Sequence, residues 1–203
     1  MKKVALVAFV AVLLGLGGCA SSVSMQPTTL INARNPQMAL VTFVRPHIFV
    51  GDAGTPPDIW DGQRYIGALG AGRLIQYQTA PGKHLFMSFT SVTGTWSYVS
   101  ADLQAGMQYW LMFSMSPSGW AGILHPHLFV IRLKDPHRAK LMKLEPMVAS
   151  DQDRAAFSEK ESAEVKKAMD NFNAGKASEV ATLMPADGMS FIVPPPESAP
   201  GQQ

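Results

Sequence analysis

Residues 74–89 read Leu74-Ile75-Gln76-Tyr77-Gln78-Thr79-Ala80-Pro81-Gly82-Lys83-His84-Leu85-Phe86-Met87-Ser88-Phe89, and this stretch decides the fold class. In its first half Ile75 and Tyr77 share one face and Gln76 and Gln78 the other, the two-residue period of a strand. Ala80-Pro81-Gly82-Lys83 is a turn, because Pro sets φ and Gly tolerates a positive one. Leu85, Met87 and Phe89 then resume the alternation on a second strand. Two strands joined by a tight turn are antiparallel neighbours.

The same grammar extends in both directions. Leu40-Val41-Thr42-Phe43-Val44 is a β-branched and aromatic run stopped by Pro46. Trp60-Asp61-Gly62-Gln63-Arg64-Tyr65-Ile66 sets Asp-Gly between two extended runs, a hairpin signal. Downstream, Trp96 and Tyr98 are in phase, and Ala105-Gly106 turns the chain into Tyr109-Trp110-Leu111-Met112-Phe113. A run from His127 to Leu133 closes the series, with Phe129, Ile131 and Leu133 in phase. The expectation is a mainly β fold, an antiparallel sandwich of seven or eight strands over residues 38–149. One strand departs from simple alternation: Tyr109, Leu111, Phe113 and Met115 face one way, while Trp110 and Met112 face the other. Both of its faces need cover, by another sheet, a helix or a partner.

A helical extension follows over residues 150–185. Ser150 or Asp151 is a good N-cap, and Gly175 a natural stop. Phe157, Val165, Ala168, Met169 and Phe172 form an amphipathic stripe that Glu161 interrupts. The expectation is that Val165, Met169 and Phe172 meet Trp110 and Met112. Lys176 to Met184 reads as a short second helix ended by Pro185. Residues 186–203, with Pro194-Pro195-Pro196, read as a disordered Pro-rich tail.

At the other end, Lys2 and Lys3 precede an apolar run from Val4 to Leu16, and small residues then lead to Cys19. This is the layout of a secretory signal over residues 1–18, too short to span a bilayer. Residues 19–37 are small and polar and read as a flexible tether. Lys2 and Lys3 account for the whole excess of 17 basic over 15 acidic side chains, so the mature chain is neutral and has no basic excess to hold a nucleic acid. The charge is unevenly placed. Residues 132–144 hold Arg132, Lys134, Arg138, Lys140 and Lys143 against Asp135, and residues 145–203 are acid-rich; this reads as a sandwich followed by a solvated amphiphilic tail, with docking of the basic stretch on the acidic helix, or contact with lipid headgroups, as the alternative. Cys19 is the sole cysteine, which excludes an intramolecular disulfide.

Leu16-Gly17-Gly18-Cys19 resembles the lipobox of bacterial lipoproteins. The resemblance implies a diacylglyceryl group on the Cys19 thiol, cleavage before Cys19 and acylation, with palmitate for example, of the new N-terminus. Ala20, standing where an Asp would signal inner-membrane retention, implies the outer membrane, with the domain facing the periplasm. Residues 41–113 resemble a family of bacterial lipoproteins built on a small β-sandwich of unknown function, PEGA-like in style. The matching pieces are Val41-Thr42-Phe43-Val44-Arg45-Pro46, Asp61-Gly62, Ile66-Gly67-Ala68-Leu69, Gly72 to Tyr77, Ala80-Pro81-Gly82-Lys83-His84 and Ala105-Gly106-Met107-Gln108-Tyr109-Trp110. Trp110 stands where a second Tyr is expected. The resemblance supplies no catalytic residue and implies a non-enzymatic envelope module.

Enzymatic constellations are thin. His125-Pro126-His127 has a metal-like i, i+2 spacing, with Asp135, His137, His47 and His84 as further candidates, but no third ligand stands at a recognisable spacing. Asp58 and Asp61 flank Trp60 as a glycosidase pair would, yet Asp61-Gly62 is turn chemistry and Asp58 follows Pro56-Pro57. No Gly-x-Ser-x-Gly elbow is present, and the glycines at 67, 70 and 72 open no helix. Trp96, Tyr98, Tyr109 and Trp110 read as core. The expectation is therefore no enzyme, no catalytic or metal residues and no cofactor. Lipidation at Cys19 is the one assigned site, and the expected partners are the membrane and an envelope protein. The alternative is a carrier of a small apolar or lipid ligand, whose cavity Met87, Phe89, Met112 and Phe113 would line.

Overall fold

The computed structural model describes residues 23–32, 34–47, 55–118, 123–132, 138–177 and 180–190. The signal segment, Cys19, the basic-stretch residues Lys134, Asp135 and His137, and residues 191–203 of the Pro-rich tail lie outside the described residues, as does the side chain of His125.

The architecture is mainly β, with two sheets packed face to face. The strands are β1 (Met25–Pro27), β2 (Ala39–Arg45), β3 (Asp58–Asp61), β4 (Arg64–Ala68), β5 (Arg73–Thr79), β6 (Gly82–Thr90), β7 (Thr95–Leu103), β8 (Met107–Ser118), β9 (Ile123–Val130), β10 (Glu145–Ala149), β11 (Val180–Leu183) and β12 (Met189–Ser190). The helices are α1 (Arg138–Leu141), α2 (Asp151–Lys160) and α3 (Ser162–Asn173). A seven-stranded sheet runs β1-β10-β5-β2-β8-β12, with β9 also on β8; a five-stranded sheet runs β11-β7-β6-β3-β4.

The long hairpins follow the turn chemistry. Gly62, at φ 53°, lets the chain reverse between β3 and β4. β6 and β7 pair antiparallel from Gly82↔Leu103 to Thr90↔Thr95. The strand count and the pairing differ from the sequence expectation. Twelve strands form among the described residues, and β2·β8, β10·β5 and β11·β7 are parallel pairs. The additional strands β1, β10, β11 and β12 span two to five residues, too few for an alternating period to register.

Three of these strands correct segment readings. Met25–Pro27, inside the stretch read as a tether, pairs with β10, Met25 opposite Ala149. Val180–Leu183, read as a second short helix, is a strand parallel to β7. Met189–Ser190, in the stretch read as a tail, pairs with β8 after a 3₁₀ turn at Pro185–Asp187. The N- and C-terminal segments thus complete the edges of the sandwich.

Burial separates into three layers. Between the sheets lie Val41, Phe43, Ile59, Ile75, Phe86, Val99, Tyr109, Leu111 and Phe113, with Phe43 and Phe86 edge to face at 5.4 Å across the core. Over the outer face of the seven-stranded sheet, Val44, Leu74, Trp110, Ile131 and Leu141 cluster with Leu30, Met112 and Leu144. Over the outer face of the five-stranded sheet, Trp60, Tyr65, Met87 and Tyr98 pack against Phe157, Val165 and Ala168. The double-faced strand β8 is therefore covered, but by Leu30 from the N-terminal segment and by the α1 region. The α2–α3 arm docks on the opposite sheet, so the expected meeting of Phe172 with Trp110 and Met112 does not occur; Phe172 stacks on Tyr98 at 5.7 Å. The reason is that β6 and β7 put Leu85, Met87, Trp96 and Tyr98 on the outer face of the five-stranded sheet, an apolar surface that itself needs cover.

Ser150 caps α2 as expected, its hydroxyl accepting the Asp153 N–H at 3.0 Å. The expected single helix breaks at Glu161, with φ −95° and ψ 6°, the residue that interrupts the apolar stripe. The break re-aims α3 so that Val165 and Ala168 are buried along with Phe157 of α2. Gly175, at φ 67°, ends α3.

Candidate functional site

Strand β3 carries both carboxylates singled out by sequence, and the alternation of a strand sends them to opposite faces. Ile59 enters the inter-sheet core and Trp60 the helix-covered face. Asp61 goes with the former and Asp58 with the latter.

Asp61 is the centre of a small polar cluster at the end of the core. It accepts the Tyr77 hydroxyl at 3.1 Å and faces His84 Nδ1 at 2.9 Å. His84 Nε2 lies 2.9 Å from the Ala80 carbonyl, and its ring stacks on Phe86 at 5.7 Å. Both ring nitrogens therefore meet acceptors, an arrangement that only the doubly protonated imidazolium satisfies in full. The bond to Asp61 raises the His84 pKa, burial opposes it, and the Asp61 charge and the Ala80 carbonyl add to the rise. An Asp–His pair in this state is not a catalytic base: no lone pair is free to take a proton from a substrate. It clamps the β5–β6 turn to the end of β3. Tyr77 is pushed up by burial and by Asp61, with the Arg64 guanidinium 5.9 Å over its ring.

Asp58 lies beneath the α2–α3 arm. It accepts the Tyr65 hydroxyl at 2.9 Å. Burial pushes its pKa up to about 7, with Glu161 adding to the rise and Tyr65 and Lys160 opposing it. Tyr65 in turn is held far above its usual range by burial and by Asp58. The Tyr65 ring sits 4.4 Å from Phe157 and 4.9 Å from Trp60, and its backbone N–H donates to Ser158 Oγ at 2.9 Å. Trp60 Nε1 is buried and has no hydrogen-bond partner among the described residues, which disfavours this seam by about 1–3 kcal/mol. With one carboxylate on each face of a sheet, Asp58 and Asp61 do not flank a common cleft, as glycoside hydrolysis requires.

The other sequence candidates are dispersed. Among the described residues no group of three or more His, Cys, Asp or Glu converges. His47 lies against Gly72 and His84 is engaged with Asp61. In the basic stretch, Arg132 pairs with Asp187 at 3.1 Å, rather than with the acidic arm. Arg45, missed as a special residue by the sequence reading, is buried, donates to the Leu69 carbonyl at 3.3 Å and lies 5.6 Å over the Phe113 ring. Its only sequence signal is a cation at the end of an otherwise apolar strand.

The four residues expected to line a carrier cavity are divided. Phe113 belongs to the inter-sheet core, Met87 to the arm-covered face and Met112 to the opposite outer face. Phe89 stacks on Trp96 at 4.9 Å. A groove of about 250 Å³ opens at the sandwich edge between β1 and β4, lined by Val23, Met25, Pro56, Ala68, Arg73 and Met147 among others. That is below the roughly 300–1,000 Å³ of small-molecule sites, and its cation Arg73 is engaged by Glu145.

Compared with protein-family models, curated proteins and solved structures, the chain matches none.

Proposed function

We propose that the chain is a lipid-anchored module of the bacterial cell envelope, attached to the outer membrane through Cys19 and facing the periplasm. It acts by binding or scaffolding an envelope protein and catalyses no reaction. The observation that carries the binding reading is the division of Met87, Met112 and Phe113 among three separately packed clusters, which leaves them no common cavity for a ligand. The lipobox-like run carries the anchor. Strand β1 supports a close tether: Met25 lies opposite Ala149, so five residues, or six Cα-to-Cα steps, separate Cys19 from Met25. At most about 3.5 Å per residue, they reach roughly 20 Å.

The test is native mass spectrometry of the full chain carrying Cys19→Ser, together with titration by a fluorescent fatty acid. The expected result is a ligand-free mass and no saturable binding. A stoichiometric co-purifying lipid, or saturable uptake of the probe, would replace this reading with that of a lipid carrier.

A further inference from the structure

Between Lys83 and Arg132 the chain holds one Asp, Asp102, and no Glu, Lys or Arg, where an average sequence is about a quarter charged. These residues form two hairpins, β6–β7 and β8–β9, and Asp102 stands opposite Lys83 at the end of the first that is away from its turn. Both hairpins run out at one end of the sandwich. The Leu128 N–H donates to Ser97 Oγ at 2.8 Å, which sets the Phe113↔Leu128 row beside the Ser88↔Ser97 row. From there β6 and β7 continue to Thr90↔Thr95, and β8 and β9 to Ser118↔Ile123.

The β6–β7 turn carries an apolar tip. Val92, 58% exposed, is the most exposed large hydrophobic among the described residues. Phe89 and Trp96, both only partly buried, stack at 4.9 Å, one outer-face pair beyond the Met87↔Tyr98 pair that the arm covers. The threonine hydroxyls of the turn are bonded to one another: Thr93 Oγ1 lies 2.7 Å from Thr90 Oγ1 and 2.5 Å from Thr95 Oγ1. The Gly94 N–H donates to the Thr90 carbonyl at 2.9 Å. Leaving water therefore strands few donors in this turn. A Cβ on Gly94 would meet no atom within 4 Å, so no described residue covers it.

We propose that the β6–β7 turn is a second membrane contact: Phe89, Val92 and Trp96 enter the headgroup boundary of the bilayer that holds the lipid on Cys19, a contact that rests on the anchor proposed above. The position of the anchor favours this occupant. The Met25 side chain reaches Gly67 and Ala68 of β4, which are in register with Ile59 and Asp58 of β3 and, through them, with Ser88 and Phe89 of β6. From that point the turn is about 10 Å away across two strand spacings and about 10 Å further along the strands. Both offsets fit inside the roughly 20 Å that the six steps from Met25 back to Cys19 can span. Trp, an apolar ring with one polar N–H, favours the membrane–water boundary. Neither hairpin carries a Lys or Arg, so the contact is apolar rather than electrostatic. The nearby strand-end cations are engaged within the fold, Arg45 buried over the Phe113 ring and Arg73 paired with Glu145. So small a tip does not hold the chain by itself; the anchor supplies its effective concentration at the bilayer.

The test couples the full, unacylated chain through its one thiol, Cys19, to a maleimide lipid in phosphatidylcholine vesicles, with Trp120→Phe throughout. The remaining tryptophans are Trp96 and the buried Trp60 and Trp110. Phosphatidylcholine brominated on its acyl chains should quench the emission, Trp96→Phe should remove that quenching, and Val92→Asp should remove most of it with the urea midpoint unchanged. Added salt, or phosphatidylglycerol in the vesicles, should alter it little. No quenching, quenching untouched by Val92→Asp, or quenching that needs anionic lipid would overturn the proposal. So would a Trp96 emission shift that follows protein concentration without lipid, which would assign the tip to a second copy of the chain. Because the coupling is chemical, a Cys19 found without lipid in cells would withdraw the anchor and leave this result standing as a property of the tip.

Discussion

Phe157→Ala measures what holds the arm to the sandwich. Phe157 is 7% exposed, packed between Trp60 at 5.8 Å and Tyr65 at 4.4 Å. A buried aromatic removes about 150 Å² or more from water, which at about 25 cal/mol/Å² is nearly 4 kcal/mol, and each aromatic pair adds about 0.5–1.5 kcal/mol. Alanine keeps the Cβ, and the arm can settle onto the sheet, so about 3 kcal/mol is the expected loss, within the range for Phe→Ala in cores. Phe172, only partly buried and stacked on Tyr98, should cost about half as much on truncation. Urea unfolding of the full chain at pH 6, followed by far-UV circular dichroism, gives both values. A Phe157→Ala loss below about 0.5 kcal/mol, the level of an ordinary surface change, would refute the docking of α2. A larger loss for Phe172→Ala than for Phe157→Ala would place the main anchor on α3.

Further outcomes follow from single residues. His84 gains its proton partners on folding, so its stabilisation is complete below the ordinary 6.5 and is lost as pH rises through its raised folded value. The wild-type urea midpoint should therefore decline from pH 6 to 9, and His84→Gln should decline less; parallel curves would show that the Asp61 cluster does not clamp the turn. A Cβ at Gly188 would lie 2.6 Å from the buried Tyr109 ring, so Gly188→Ala should cost about 1–3 kcal/mol in thermal or urea melts, and a neutral result would mean that β12 does not sit on β8. Gly72, at φ 69°, should cost about 1 kcal/mol as Ala by the same melts, because the backbone strain remains even if the exposed His47 ring swings away.

The interior of the fold was legible because its signals are periodic. The alternation of Ile75 and Tyr77 against Gln76 and Gln78 places the first pair in the inter-sheet core, where they are found. Asp61-Gly62 gives the β3–β4 hairpin, and Ser150 gives the cap of α2. The edges were not legible, because β1, β11 and β12 are strands only by virtue of neighbours distant in sequence: Ala149 for Met25, Tyr98 for Val180, Gln108 for Met189. The double-faced pattern of β8 announced that a cover exists without saying which segment supplies it. Leu30 and Leu141 lie in short mixed segments, Leu30-Ile31 and Leu141-Met142, and no sustained period reveals them.

The polar sites divide in the same way. Asp58, Asp61 and His84 could be picked out as residue types, and the face of each follows from strand alternation. That Asp61 meets His84 depends on β3 lying beside β6, with Asp61 opposite Phe86, and that Asp58 meets Tyr65 depends on β3 lying beside β4. Neither is written in local spacing. The turn chemistry of Asp61-Gly62 argued against a carboxylate pair, and the sheet gives Asp58 and Asp61 separate partners, Tyr65 for one and His84 for the other.

Cys19 is the proposed point of attachment, and intact-mass analysis of the membrane-extracted protein tests it most directly. The expected mature chain begins at Cys19 and carries a diacylglyceryl group and an N-acyl chain, and Cys19→Ser should release soluble protein or leave uncleaved precursor. A mature chain that begins elsewhere without lipid, or a Cys19→Ser variant that is processed and stays membrane-bound as tightly as the wild type, would contradict it.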